Sequence, residues 1–159
     1  MDFSARSNEL ELLDRNDIPF DAIRQNMHEL DVINTYLGGH RITINGFSRL
    51  AGDQRRISVC EIGCGGGDNL MAIQKFCLSK NIQVDCSGID INQECIEVAR
   101  SRKWNSPTEF FVSDYRAFIF EKKKPDIVFS SLFCHHFKDE EIVEMLRWMG
   151  SNSNAGFFI

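Results

Sequence analysis

Apolar residues in the first third of the chain recur at steps of three and four, the spacing of one face of an α-helix. The members of this stripe are Ile23, Met27, Leu30, Ile33 and Leu37. Pro19 suits the start of such a helix, and Gly38-Gly39 suits its end. We therefore predict that residues 5–52 are helical, with a second, shorter helix over 40–50.

From residue 57 onward, short apolar runs alternate with stretches of helical periodicity. The runs predict strands at 57–62, 83–90, 109–114, 126–132 and 155–159. The periodic stretches between them predict helices at 68–80, 92–103 and 139–149. Strands separated by helices pair in parallel through right-handed crossovers. We expect an α/β fold, a Rossmann-like parallel sheet with flanking helices over 55–159, preceded by an N-terminal helical cap segment over 1–54.

The composition narrows the class of protein. A chain of 159 residues that is 43% hydrophobic fits one soluble globular domain. A net charge of -5, with no basic cluster beyond 122–124, argues against a nucleic-acid partner. No apolar run is long enough to span a membrane and the acidic N-terminus is unlike a signal peptide, so we expect a cytoplasmic protein. The six cysteines form no CxxC pair, which favours reduced thiols over a metal site.

Residues 59–70 combine an apolar strand, a glycine-rich turn and the start of a helix. Gly63, Gly65 and Gly67 can adopt positive φ and let the main chain approach a ligand closely. Backbone N–H groups at the helix start then face that ligand, as in sites for nucleotide-type cofactors. Glu61 lies in the buried strand, where a carboxylate needs a cationic partner, either a ligand amine or a basic neighbour.

Polar residues also end the next two predicted strands, and ligands of such sheets bind beyond those ends. Asp90 can accept hydrogen bonds from a ribose diol, or it can cap the helix that follows. Asp114 can accept a hydrogen bond from an adenine amine, or it can stabilise a turn. Ile91 and Tyr115, next to these carboxylates, offer apolar and flat surfaces to a ring. Asp68 is expected to cap its own helix.

The fourth predicted strand ends in Ser130-Ser131, and His135 and His136 follow it. Either imidazole can accept a proton from a substrate that docks at this edge. The alternative is that one ring packs structurally while the other is solvated. The four strand ends together predict one shared site.

Four ordered motifs resemble those of the class I S-adenosylmethionine-dependent methyltransferases of the bacterial small-molecule type. They are residues 61–67, 88–91, 114–115 and 129–137, and the resemblance covers 57–159. It implies S-adenosylmethionine as cofactor, with the glycines at its methionine part, Asp90 at the ribose, Asp114 and Tyr115 at the adenine, and Ser130 near the amino-acid end. The expected cofactor-binding residues are Glu61, Gly63, Cys64, Gly65, Gly67, Asp90, Ile91, Asp114, Tyr115 and Ser130.

The resemblance implies methyl transfer to a small-molecule acceptor, which can be phenolic, quinone-like or polyketide-like. An NAD(P)-binding oxidoreductase is the alternative enzyme, although Asp68 stands where its fingerprint has a third glycine. A non-catalytic S-adenosylmethionine-binding or assembly protein is a third interpretation. Family members continue past the fifth strand, so we expect a truncated form, with an apolar edge strand through which a homodimer can form.

Overall fold

The computed structural model describes residues 18–159. The predicted helical residues before position 18 and the acidic N-terminus lie outside this range. The helices are α1 Phe20–Leu37, α2 Gly39–Ala51, α3 Asp68–Ser79, α4 Gln93–Ser101 and α5 Asp139–Ser151. The strands are β1 Arg56–Ile62, β2 Gln83–Asp90, β3 Thr108–Val112, β4 Ile127–Phe129 and β5 Gly156–Phe158. Short 3-10 turns follow β3 at Tyr115–Ala117 and β4 at Cys134–His136.

The five strands form one parallel sheet in the order β3-β2-β1-β4-β5. The chain moves outward on one side of β1 and returns to build the other side, so the strand order reverses between β1 and β4. A crevice for ligands is expected beyond the carboxyl ends of the strands at such a point. The predicted α/β fold, with a Rossmann-like parallel sheet, is confirmed.

Several predicted boundaries differ from the structure, and three of the differences have a visible cause. β3 ends at Val112, and the Asp114 side chain accepts a hydrogen bond from the Arg116 N–H to begin a turn. β4 ends at Phe129 instead of residue 132, since Leu132 has a φ of +55°, which a strand cannot contain. α4 begins one residue late, because Asn92 is its N-cap.

The cap helices pack against the helical layer of the sheet domain. Ile23 and Met27 of α1 form a buried cluster with Cys95 and Val98 of α4. The second half of the predicted stripe is not buried, since Leu37 is 82% exposed. α2 contacts α3, β4 and β5. The division of the chain at residue 54 into two parts remains a prediction.

β5 pairs with β4 and forms one edge of the sheet. Dimerisation through this edge remains a prediction. Across residues 18–159, no helix combines the length and apolar character that a membrane crossing would need.

Candidate functional site

The glycine-rich turn after β1 has the backbone conformation expected from its sequence. Gly63, Gly65 and Gly67 have φ values of +65°, +48° and +73°. The N–H groups of Gly63 and Cys64 both donate to the Ile89 carbonyl, at 2.8 and 3.2 Å, which ties the turn to β2. A Cβ atom on Gly63 would lie 2.4 Å from the Phe133 ring. The turn therefore fits closely between β2 and the loop that follows β4.

The Asp90 carboxylate joins this turn to the start of α4. Its Oδ2 accepts a hydrogen bond from the Gly65 N–H at 2.8 Å, and its Oδ1 accepts one from the Asn92 N–H at 2.8 Å. Burial raises the pKa of Asp90, while these two bonds and the nearby His136 partly oppose that rise. The helix cap is Asn92, whose side chain accepts from the Cys95 N–H at 3.0 Å. Asp90 is therefore not the helix cap.

Glu61 is a buried carboxyl next to the turn, with 1% of the residue exposed. Its Oε1 accepts a hydrogen bond from Asn69 Nδ2 at 3.0 Å. Its Oε2 has no hydrogen-bond partner within the described part of the chain. Burial, followed by the negative charges of Asp68 and Asp90, raises the pKa of Glu61 well above its usual value. Among residues 18–159, no Lys, Arg or His forms an ion pair with it, so the expected basic neighbour is not found.

Cys64 lies beneath the turn rather than in the crevice. The residue is 2% exposed, and its Sγ would be 2.6 Å from a Cβ atom placed on Gly88 of β2. Burial raises the pKa of this thiol well above its usual value, so the thiolate is disfavoured. A small, neutral side chain under the turn explains a cysteine at this position.

At the end of β3, Asp114 is bound by Arg116. The Arg116 guanidinium donates to both carboxylate oxygens, at 2.6 to 3.0 Å, and holds the pKa of Asp114 below its usual value. Asp114 therefore stabilises a turn, which was one of the two roles that the sequence allowed. The backbone N–H of Ser113 donates to the Asp90 carbonyl at 2.9 Å, which sets Asp114 beside the end of β2.

The two hydrophobic residues expected near a bound ring have different environments. Ile91 is 71% exposed, directly after Asp90. Tyr115 is buried, with its ring edge-on to Phe133, Phe137 and Trp148. Ile91 therefore offers an open apolar surface, whereas the expected flat face of Tyr115 is covered and this ring supports the wall behind the β4 loop.

The loop after β4 packs against the glycine turn through Phe133. Ser130 is buried, and its hydroxyl donates to the Ile62 carbonyl at 3.3 Å. Leu132 has a positive φ, an unusual conformation for a bulky residue and one that often marks a functional loop. His135 and His136 are both exposed, with ring centroids 4.1 Å apart, and His136 is close enough to Asp90 to lower its pKa.

The expectation that Asp68 caps α3 is wrong, because the N-cap is Gly67 and makes no side-chain cap bond. Asp68 instead binds the cap helices: Oδ2 accepts from Asn34 Nδ2 at 2.9 Å and lies 3.0 Å from His40 Nε2. Burial alone would raise the pKa of Asp68, but His40 and Asn34 outweigh it and the pKa is lowered. Sequence reasoning missed both partners. The sequence marks only Asn34 as unusual, because it lies two helical turns after Met27 on the apolar face of α1, and it does not indicate what Asn34 binds.

Asp31, His40 and Asp68 lie near enough to one another to hold a metal ion. Their oxygens already have donors, however. Arg102 donates to Asp31 Oδ2 at 2.8 Å, and Asn34 donates to the same Asp68 oxygen that faces His40. These contacts explain the cluster as a link between α1, α2 and α3.

The structure thus brings the glycine turn, Glu61, Asp90 and the β4 loop together at the carboxyl ends of the strands. With this geometry established, sequence comparison decides the family. The profile of a methyltransferase domain family, described as "Methyltransferase domain", matches residues 59–153, more than half of the chain. The chain belongs to this methyltransferase family. The resemblance to class I S-adenosylmethionine-dependent methyltransferases is thereby confirmed, and S-adenosylmethionine is the cofactor of that class.

Solved structures support the same fold. The plantazolicin methyltransferase BpumL, in complex with S-adenosylhomocysteine (SAH), is 24% identical with a TM-score of 0.62, and the match covers 87% of this chain and 50% of that one. Magnesium protoporphyrin IX methyltransferase ChlM from Synechocystis PCC 6803, with bound S-adenosylmethionine (SAM), is 21% identical with a TM-score of 0.57, covering 74% and 56%. The YcgJ protein from Bacillus subtilis is 22% identical with a TM-score of 0.55, covering 74% and 49%.

The chain therefore spans about half the length of the solved structures that it matches. A comparison with curated protein sequences finds no match.

Proposed function

We propose that this chain binds S-adenosylmethionine and transfers its methyl group to a small-molecule acceptor. The observation that carries this proposal is the Asp90 carboxylate, which holds the glycine turn at 2.8 Å where the strand order reverses. A second observation supports the choice of cofactor. Glu61 keeps a buried oxygen without a partner in the described residues, and this suits a cationic amino group.

The residues at the carboxyl ends of the strands fit the parts of that cofactor. The glycine turn and Glu61 would hold the methionine part, with Cys64 supporting the turn from below and Ser130 fixing the neighbouring β4 loop. Asp90 would accept from the ribose hydroxyls, because each carboxylate oxygen can accept more than the one backbone hydrogen bond it has now. The adenine would lie against Ile91, with Asp114 near its amine and Tyr115 behind the wall.

The bound cofactor supplies the activated methyl carbon. The protein's contribution is to hold two reactants in line and to exclude water. If the acceptor is a hydroxyl or an amine, a base has to remove its proton, and His135 and His136 stand on the loop beside Asp90. The plantazolicin and magnesium protoporphyrin methyltransferases have small-molecule substrates in their names, which supports a small acceptor here. That this acceptor is phenolic, quinone-like or polyketide-like is part of our proposal and rests on the sequence resemblance.

The oxidoreductase alternative fits these charges less well. Asp68 stands in the first turn of α3, and its lowered pKa keeps it ionised. A dinucleotide would have to bring its pyrophosphate to this helix start, where the Asp68 carboxylate would repel it. A sulfonium cofactor carries no phosphate and is not repelled in this way.

Calorimetric titration and thermal shift with SAM, SAH and NAD test the proposal. Both adenosyl compounds should bind and raise the Tm by mass action, and NAD should not. Asp90→Ala should weaken SAH binding by about 10- to 100-fold, because it removes a charged acceptor worth about 1.5–3 kcal/mol. Asp85→Ala is the matched control, since Asp85 lies on the same strand but forms an ion pair with Arg56 at its far end.

A Tm shift with NAD alone, or equal SAH affinity in the Asp90 and Asp85 variants, would contradict the proposal. Formation of SAH from SAM in the presence of phenolic and quinone-type acceptors then separates an enzyme from a binding protein. Binding without turnover on any of them would favour the non-catalytic alternative.

A further inference from the structure

Three buried polar side chains connect a cap helix to the strand before the glycine turn. Thr43 lies on α2, Asn69 on α3 and Glu61 on β1, and the three are 1% to 5% exposed. Thr43 Oγ1 donates to Asn69 Oδ1 at 3.1 Å, and Asn69 Nδ2 donates to Glu61 Oε1 at 3.0 Å. This chain of hydrogen bonds crosses from the cap to the centre of the sheet.

The two bonds define one orientation of the Asn69 amide, in which its oxygen accepts from the Thr43 hydroxyl and its NH2 donates to Glu61. With the opposite orientation, the NH2 would donate to the Thr43 hydroxyl, and the amide oxygen would face Glu61. An ionised Glu61 carboxylate has no hydrogen to donate, so it would then lose its hydrogen-bond donor. Thr43 therefore acts on Glu61 through Asn69. Glu61 Oε1 is therefore hydrogen-bonded to Asn69, whereas Glu61 Oε2 has no partner among residues 18–159.

We propose that Thr43 and Asn69 are positioning residues that hold Glu61 for the cationic amino group of the cofactor, and that cofactor binding releases the Glu61 proton to solvent. This inference rests on the proposed function and adds to it two positioning residues and the release of a proton. The O–H bond of the Glu61 carboxyl breaks and its proton passes to solvent water, and the carboxylate that remains gains the ammonium group as its neighbour.

The charges around Glu61 favour a proton on it before the cofactor binds. Asp68 of α3 and Asp90 of β2 are negative neighbours, whereas the thiols of Cys60, Cys64 and Cys86 are kept neutral by burial. The imidazoles of His40 and His136 act on other groups, on Asp68 and on Asp90 respectively. Burial and the two carboxylates raise the pKa of Glu61, and a buried cation next to it would lower that pKa again.

Calorimetric titration with SAH at neutral pH, in two buffers of different ionisation enthalpy, measures the proton release directly. SAH is chosen because it keeps the amino group and cannot donate a methyl group. Wild type should release protons as SAH binds. Glu61→Gln, which keeps the size of the side chain, should release none and should bind SAH about tenfold or more weakly.

Thr43→Val tests the positioning role, since valine keeps the volume and removes the hydroxyl. It should weaken SAH binding several-fold and change the number of protons released. Ser48→Ala is the matched control on the same helix, because Ser48 Oγ donates only within α2, to the Ile44 carbonyl at 2.6 Å. Ser48→Ala should leave both the SAH affinity and the number of protons released unchanged.

The outcomes separate this inference from the proposed function. SAH binding by wild type without proton release, or with the same release in Glu61→Gln, overturns the inference and leaves the proposed function standing. Thr43→Val that matches Ser48→Ala in both quantities overturns the positioning role. Failure of wild type to bind SAH at all overturns the proposed function and the inference with it. The wild-type measurement needs no variant, so a folding defect in one of them cannot leave the question undecided.

Discussion

Gly63→Ala tests how closely the glycine turn and the β4 loop fit together. Gly63 has a φ of +65°, and a Cβ atom on it would lie 2.4 to 2.8 Å from three carbons of the Phe133 ring. The variant therefore adds two separate costs, a backbone one and a steric one. The ring cannot move away freely, because it packs against Tyr115 and Phe137.

The size of the effect follows from these two costs. A residue with a Cβ in the left-handed region costs about 1–2 kcal/mol. Forcing extra volume into a packed core costs about 1–3 kcal/mol. Gly63→Ala should therefore lower the free energy of unfolding by about 2–5 kcal/mol, and each kcal/mol corresponds to about 2–4 °C in Tm for a domain of this size.

Gly38→Ala separates the two costs. Gly38 also lies in the left-handed region, with a φ of +91°, but the nearest atom to its Cβ position is Arg41 Nη2 at an ordinary contact distance of 3.7 Å, so this variant carries the backbone cost alone. Urea unfolding of both variants should show a larger loss for Gly63→Ala. A double-mutant cycle with Phe133→Leu should recover part of the difference. Equal losses in the two glycine variants, or no coupling to Phe133, would refute the reasoning.

Four further variants follow from the same geometry. Glu61→Gln removes a carboxyl whose pKa is raised by burial, so wild type should lose stability relative to the variant as pH rises above the usual Glu range; parallel unfolding curves would contradict this. Asp68→Asn removes a carboxyl whose pKa His40 and Asn34 lower despite burial, so its destabilisation should be present at neutral pH and disappear as pH falls through the folded pKa; a loss that persists in acid would point to packing instead. His135→Ala and His136→Ala, made separately, should show which ring is the base, since its loss slows transfer to a hydroxyl acceptor by about 10²–10⁴-fold at unchanged SAH affinity; unchanged rates in both would exclude the pair.

The sequence predicted the centre of the sheet well because its strands are long and apolar. β2 has the predicted bounds, and β1 begins one residue earlier than predicted. The prediction was poorer for β4, which has three residues instead of seven. Residues 130–132 follow the apolar run directly in the sequence, but Ser130 bonds to the Ile62 carbonyl and Leu132 turns the chain away. These are tertiary effects that local periodicity does not contain.

The site shows the same contrast between local and tertiary effects. The glycine turn and Asp90 were predictable, since a turn and a strand end each depend on a few neighbouring residues. The partners of Asp68 were not, because Asn34 and His40 come from cap helices 34 and 28 residues earlier in the chain. Tyr115 was assigned to a ligand from its neighbour Asp114, yet its ring is buried under α5 beside Trp148.

The conformation of the glycine turn is therefore set by distant parts of the chain. Asp90 holds Gly65 from β2, Phe133 closes over Gly63 from the β4 loop, and Met27 of α1 lies over Gly65 and Gly66. A turn with three positive φ values gains no stability from helix or strand hydrogen bonding of its own, so these contacts have to hold it. Its binding-competent form then exists only when both sides of the sheet and the cap are folded. Since Thr43 connects the cap to Glu61 as well, loosening of α2 would weaken cofactor binding before the sheet itself unfolds.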